Sequence, residues 1–447
     1  MRMANAASAD RMRVTNLKAN ATAARTRQRV GVGDDTAPEE KSAMRILTVT
    51  SLWPNDAQPN HGIFVENRMA RVHATGQAEV TVIAPVPWFP SNAPVFGSYA
   101  RFADVPTRAT RNGISIEHPR YATIPKVGMR VQPTFYHAAL VRCAKRLIAK
   151  TGPFDLIDAH YFYPDGVAAA RLADELNLPL TITARGTDIN LIPRNNDTAT
   201  RAILAAAARA EASITVCEAL RAEMIALGAD GARVHTLRNG VDLDGFRPPE
   251  GDRSALKLFL GIPATAPLAV SVGGLVERKG HHLTIEAVAA RPDLHLLIAG
   301  AGPEESALTR QIAALGVGDR IRLTGPLPHS ALADFYGAAD LSILSSSREG
   351  WANVLLESMA CGTPVVATDA WGTPEVIAAY EAGRLARRDA GDIGTQIDAL
   401  RADMPARSAT RAYAEGFSWD ETVEGVLRVF GEAIATRHGH RISRNGA

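Results

Sequence analysis

From residue 45 onwards, short apolar runs alternate with longer stretches of mixed polarity. RILTVTS (45–51), EVTVIA (79–84), DLIDAH (155–160), PLTITA (179–184) and ASITVC (212–217) are rich in Val, Ile, Leu and Thr. Unbroken apolar runs of about six residues suit strands buried on both faces, as in a parallel sheet. The segments between them are long enough for helices, so the pattern predicts an α/β sheet covered on both sides. The rhythm breaks at GFRPPEGDR (245–253), where Pro, Gly and charge crowd together as in a linker. It resumes with LAVSVG (268–273), LHLLIAG (294–300), RIRLTG (320–325), LSILS (341–345) and PVVAT (364–368).

Length supports the same division. At 447 residues the chain exceeds one core, since cores stop growing near about 250–300 residues. Two similar domains are expected, at 44–247 and 248–415. Residues 1–43 hold Arg and Lys among Ala, Thr and Asn with no apolar pattern, and read as a disordered tail; Met44, directly before the first strand, is an alternative start to Met1. A net charge of +2 leaves no electrostatic footprint for nucleic acid. Cys143, Cys217 and Cys361 are too few and too scattered for a disulfide framework or a zinc site, which points to a reducing cytoplasm. No apolar run reaches the roughly 20 residues of a spanning helix; peripheral contact at the inner face of the membrane stays open.

Two such sheets leave a cleft where the carboxyl ends of their strands face each other, and ligands bind at that edge. The segment SSSREGWANVLLESMACGTPVVAT (345–368) runs from a strand end through a loop into a helix over Asn353–Ala360 and out to the next strand. Gly350 permits close backbone approach. The helix N-terminus then points into the cleft, where free N–H groups and the positive dipole end suit a pyrophosphate. Glu349 and Glu357 flank that point, about 12 Å apart if the path is helical, a separation that suits two ends of one long ligand. In VGGLVERKGHHLTIEA (272–287) a strand ends in Gly273 and Gly274, followed by Arg278 and Lys279. Cations beside a glycine turn suit a leaving pyrophosphate.

The first segment resembles the E-x7-E signature of the retaining family 4 glycosyltransferases, whose two facing Rossmann-like domains form the GT-B architecture; the likeness runs from about residue 44 to 432. It implies that Glu349 contacts the transferred sugar, that Glu357 holds the ribose hydroxyls, and that the backbone of Gly350, Trp351, Ala352, Asn353, Val354 and Leu355 meets the donor phosphates. The second segment is similar to the family's G-R-L-x-x-x-K-G loop. It supplies Lys279 and Gly280 but has Gly274 where many members have Arg, so Arg278 is expected to provide that charge. The resemblance further implies a donor-side role for the Gly62 loop, a nucleobase seat at 325–328, and a helix at 416–435 crossing back to the first domain before a tail at 436–447. Arg185 stands where many relatives have a sugar-contacting His and is expected to bind sugar hydroxyls or phosphate in its place, with Asp188 holding it. His160 ends a strand facing the cleft, either as an acceptor contact or as a satisfied structural histidine.

The expected activity is retaining, metal-independent hexosyl transfer from a UDP- or GDP-linked sugar to a glycan, lipid-linked or small-molecule acceptor, with no cofactor and no metal. A nicotinamide dehydrogenase is the rival from another class, but its fingerprint is missing: GAGPEE (300–305) has Glu where the third glycine belongs. A sugar-nucleotide epimerase of the same architecture and a non-enzymatic nucleotide-binding module remain alternatives.

Overall fold

A computed structural model describes residues 43–93, 100–122 and 132–445, with side chains to residue 437. The apolar runs form strands, and these assemble into two main sheets. Across the first sheet the strands lie in the order Val234–Thr236, Ala212–Thr215, Leu180–Ala184, Leu156–His160, Met44–Thr50, Ala78–Ile83, Ile114–Glu117 and Arg108–Arg111, with only the last antiparallel to its neighbour. Across the second the order is Ile321–Gly325, His295–Ala299, Leu268–Val272, Leu341–Leu344, Val365–Thr368 and Gly383–Ala386, all parallel.

Each sheet starts at its centre, runs to one edge, and returns on the other side of its first strand. The order therefore reverses between Met44–Thr50 and Leu156–His160 in the first sheet, and between Leu268–Val272 and Leu341–Leu344 in the second. At such a point successive loops diverge and open a crevice at the carboxyl ends of the strands. The loops at 273–280 and 345–352, the two with the most chemistry, leave adjacent strands at the second reversal.

The two halves share one apolar cluster containing Leu47 and Ile182 from the first and Leu268 and Leu356 from the second. The chain then returns. Helix Trp419–Asn445 sets Val423, Val426, Phe430 and Ala433 into the first domain's core beside Ile46, Met69 and Leu156. Gly240 makes the crossing possible, since a Cβ there would lie 2.6 Å from the backbone of Ser418 and Trp419. The helix continues past residue 435, where a tail was expected; its one glycine in that stretch, Gly439, costs roughly 1 kcal/mol and is too weak a breaker. Residues 1–42 and the start at Met44 concern a segment outside the described residues, apart from the strand that begins at Met44 itself.

Phe430 is fully buried, so Phe430→Ala is expected to lower stability by about 3–5 kcal/mol. Chemical denaturation with two spectroscopic probes checks this; a loss below 1 kcal/mol, on the order of a surface change, speaks against a tightly docked return helix.

Candidate active site

Two adjoining cavities occupy the cleft, of about 450 Å³ and 460 Å³. Phe64 and Asn353 line both. Asn353 opens the helix Asn353–Ala360, so the helix N-terminus stands at their junction.

Glu349 lines the first cavity and is 9% exposed. Lys279 Nζ lies 2.7 Å from its Oε1, and Arg278 Nη1 lies 3.3 Å from the same oxygen. Burial alone would raise this carboxyl; the two cations overcome that and hold it below its ordinary value. Arg278 also donates to the Arg348 carbonyl at 2.7 Å, and Ser347 N donates to the Arg278 carbonyl at 2.8 Å. Gly280 is left-handed at φ +67°, and a Cβ there would lie 2.2 Å from Ser345 O. The two loops at the reversal point are thus fastened edge to edge, which puts the carboxylate against the cations.

Glu357 lines the second cavity. His329 Nε2 lies 3.4 Å from Glu357 Oε1 and is raised by it, while the buried Oε2 has no partner. Gly273, Gly274, Val354, Pro326 and Leu327 complete this wall, so the backbone expected to read a base borders the same space. Ala352 and Leu355 point their side chains into the core. The amides of Asn353 and Leu355 donate to the carbonyls of Trp351 and Ala352. Glycines 300 and 302 have a packing reason: a Cβ on them would meet Gly273 O at 1.9 Å and Leu275 O at 2.3 Å.

The first domain supplies the facing wall. Gly62 is left-handed at φ +72° and packs on Leu52, where a Cβ would lie 2.2 Å from the carbonyl carbon; its neighbour His61 lines the cavity. Gly350 lies against Arg185, whose carbonyl oxygen would be 2.3 Å from a Cβ there. Trp351 Nε1 donates to Asn239 O at 2.9 Å, and Asn239 Nδ2 donates to Asn353 Oδ1 at 3.3 Å. Glu375 reaches back to accept from the backbone N–H groups of Glu218 and Ala219, each at 3.0 Å, and from Arg238.

Arg185 lines the first cavity; His160 and Asp188 do not. Asp188 is fully buried and accepts from the backbone N–H groups of Phe162, Arg185 and Gly186 at 2.8–3.0 Å, so it holds the Arg185 turn by its main chain. His160, 1% exposed, sits beneath the cleft. Its Nε2 lies 2.8 Å from Asp158, and its Nδ1 takes a hydrogen bond from Arg185 Nη2. The strand-end position was legible, but the side chain faces inward and touches the cleft only through Arg185. Sequence reasoning missed His61, Phe64, Asn190, Asn239 and Arg348, all of which line the first cavity; His61 lies in PNHG (59–62) and Asn239 in RNGVD (238–242), turns that give no reason to choose among their residues.

The comparisons bear on this geometry. The Glycosyltransferase Family 4 model matches residues 68–244, and the Glycosyl transferases group 1 model matches residues 252–417. The putative teichuronic acid biosynthesis glycosyltransferase TuaC of Bacillus subtilis is 30% identical over 341 residues, covering 76% of this chain and 84% of that protein. The chain is a family 4 glycosyltransferase. The transferase is also 30% identical over 442 residues to the D-inositol 3-phosphate glycosyltransferase 1 of Catenulispora acidiphila, 90% of this chain and 99% of that one. Among solved structures, the sucrose-phosphate synthase of Thermosynechococcus elongatus superposes with a TM-score of 0.73 at 20% identity over 88% of this chain and all of that one. Anabaena HepE, in complex with UDP and glucose, gives 0.67 at 22% identity over 87% and 99%. These last two establish the GT-B fold of the transferase. Among the described residues no helix is long and apolar enough to cross a membrane.

Burial lowers the His160 imidazole from 6.5 to about 4, against the opposing pull of Asp158. The unfolded chain therefore binds the proton more readily, so this contribution to stability is intact above about pH 6.5 and is lost as pH falls toward 4. Between pH 7 and pH 5 the wild type is expected to lose about 2 kcal/mol more than His160→Gln. Urea denaturation at both pH values tests this, and equal losses in the two proteins contradict a buried neutral imidazole.

Proposed function

We propose that the transferase is a retaining, metal-independent hexosyltransferase that moves a sugar from a UDP- or GDP-linked donor to a glycan, lipid-linked or small-molecule acceptor. One observation carries this reading. A helix N-terminus stands at the junction of two cavities, with Glu349 and its cations lining one and Glu357, which has a buried oxygen without a partner, lining the other. A nucleotide sugar has that layout: hydroxyls of a ribose, an anionic diphosphate, and a polar sugar beyond it.

The diphosphate fits the helix terminus and the side chains of Lys279 and Arg278. These cations neutralise charge that grows on the leaving phosphate as the glycosidic bond breaks, which is where preorganised positive charge lowers a barrier. Because the protein supplies this charge itself, the reaction needs no divalent ion. Glu349, held anionic by the same cations, is a weak base and an effective partner for sugar hydroxyls or for positive charge on the ring. With no strong carboxylate base on this wall, the departing phosphate takes the acceptor proton on the face it leaves, and configuration is retained. HepE has been solved with UDP-glucose, which favours a uridine donor; TuaC, by name, serves teichuronic acid biosynthesis, which favours a glycan acceptor. TuaC, the D-inositol 3-phosphate glycosyltransferase and the sucrose-phosphate synthase are transferases or synthases by name, and none is an epimerase.

Three variants separate the roles. Lys279→Ala is expected to lower turnover roughly a hundredfold or more. Glu349→Gln is expected to lower turnover with nucleoside diphosphate affinity nearly intact, and Glu357→Ala to weaken that affinity chiefly. Steady-state kinetics in chelator, with calorimetric titration of UDP and GDP, checks all three. A Glu349 variant whose only defect is nucleotide affinity, or activity abolished by chelation and restored by magnesium or manganese, contradicts the proposal.

A further inference from the structure

Beneath the first-domain wall lie two guanidinium groups with no carboxylate partner among the described residues. Arg68 is 1% exposed; its Nη2 donates to Leu237 O at 2.7 Å and Asn239 Oδ1 at 2.9 Å, and its Nε and Nη1 find no acceptor. Arg185, in front of it, donates to Asn239 Oδ1 at 3.4 Å and to His160 Nδ1, leaves Nε unpartnered, and lies 5.5 Å from the centre of the Phe64 ring.

The nearby acids Asp158 and Asp188 favour the charged guanidiniums from a distance, but neither forms an ion pair with them. Asp158 accepts from Thr181 at 2.8 Å and faces His160, and Asp188 accepts backbone N–H groups. Burial, then repulsion from Arg68, disfavours the charged form of Arg185 and holds its guanidinium well below its ordinary value. Buried guanidinium N–H groups left without acceptors are costly, and such groups mark functional sites. The diphosphate is already served by Lys279 and Arg278 on the opposite wall. Asn190 lines the same cavity, is 1% exposed, and carries a buried Oδ1 with no partner.

We propose that Arg185, with Arg68 behind it and Asn190 in the same cavity, binds a carboxylate or phosphate carried by a polyhydroxylated substrate, apart from the diphosphate of the donor. The proposal rests on the glycosyl-transfer reading of the cleft. The anionic group belongs either to the transferred sugar or to the acceptor, and the chemistry of recognition is the same in both cases.

The full chain is titrated in two arms, in the wild type, Arg185→Gln and Arg185→Lys. UDP alone comes first, with GDP in its place if UDP does not bind. The donor arm compares UDP-glucuronic acid with UDP-glucose. The acceptor arm, at saturating nucleoside diphosphate, compares glucuronate and glucose 6-phosphate with glucose. In one arm the wild type is expected to bind the anionic member at least about tenfold more tightly than the neutral one, the scale of a charge-assisted hydrogen bond. Arg185→Gln is expected to lose that ratio while nucleoside diphosphate affinity stays within about twofold, and Arg185→Lys to keep part of it. If Arg185→Gln does not fold, the partial ratio in Arg185→Lys decides. No discrimination in either arm, or an Arg185 variant that loses nucleoside diphosphate affinity itself, overturns the proposal. Failure of the wild type to bind either nucleoside diphosphate instead overturns the transferase reading on which it rests.

Discussion

The site depends on a buried carboxylate kept ionised. Glu349 lies within 2.7 Å of Lys279 and 3.3 Å of Arg278, and without those cations its charge would be costly to hide from water. The carboxylate and the cations come from loops about seventy residues apart in sequence, at 278–279 and 349. They meet because the strand order reverses between Leu268–Val272 and Leu341–Leu344, and because Gly280 lets the loops close to backbone contact. Electrostatics here follows from topology.

The second constraint is the closeness of the two halves. Gly350 has no room for a side chain against Arg185, Trp351 is tied to the Asn239 carbonyl, and Glu375 accepts from the N-terminus of helix Glu218–Ala226 in the first domain. The loop that carries Glu349 is therefore braced from both sides. A preorganised site needs such bracing, because charges fixed before the reaction need no reorganisation during it.

Much of this was legible from residue order. Buried parallel strands announce themselves as apolar runs, and strand, Gly and helix around Glu349 and Glu357 lie as their spacing implied. What escaped depends on which way a side chain faces. His160 ends its strand where a cleft residue belongs, yet its ring turns inward to Asp158 and reaches the cleft only through Arg185. Asn239 bridges both domains through contacts more than a hundred residues away in sequence, and nothing in RNGVD signals that. The glycines of GAGPEE hint at a nucleotide loop, but they serve packing against the 273–275 turn. Helix 419–445 outran its expected end because its continuation lacks a strong breaker.

Whether the sugar is transferred on the face its phosphate leaves bears most directly on this chemistry. Glu349 is held too acidic for a strong base. Burial holds His61, the other titratable group lining that cavity that is suited to a base, below its ordinary value. Proton NMR of the freshly formed product, read from the anomeric coupling constant, gives the answer: retention of the donor's configuration is expected, whereas an inverted product contradicts it and moves the role of base to His61.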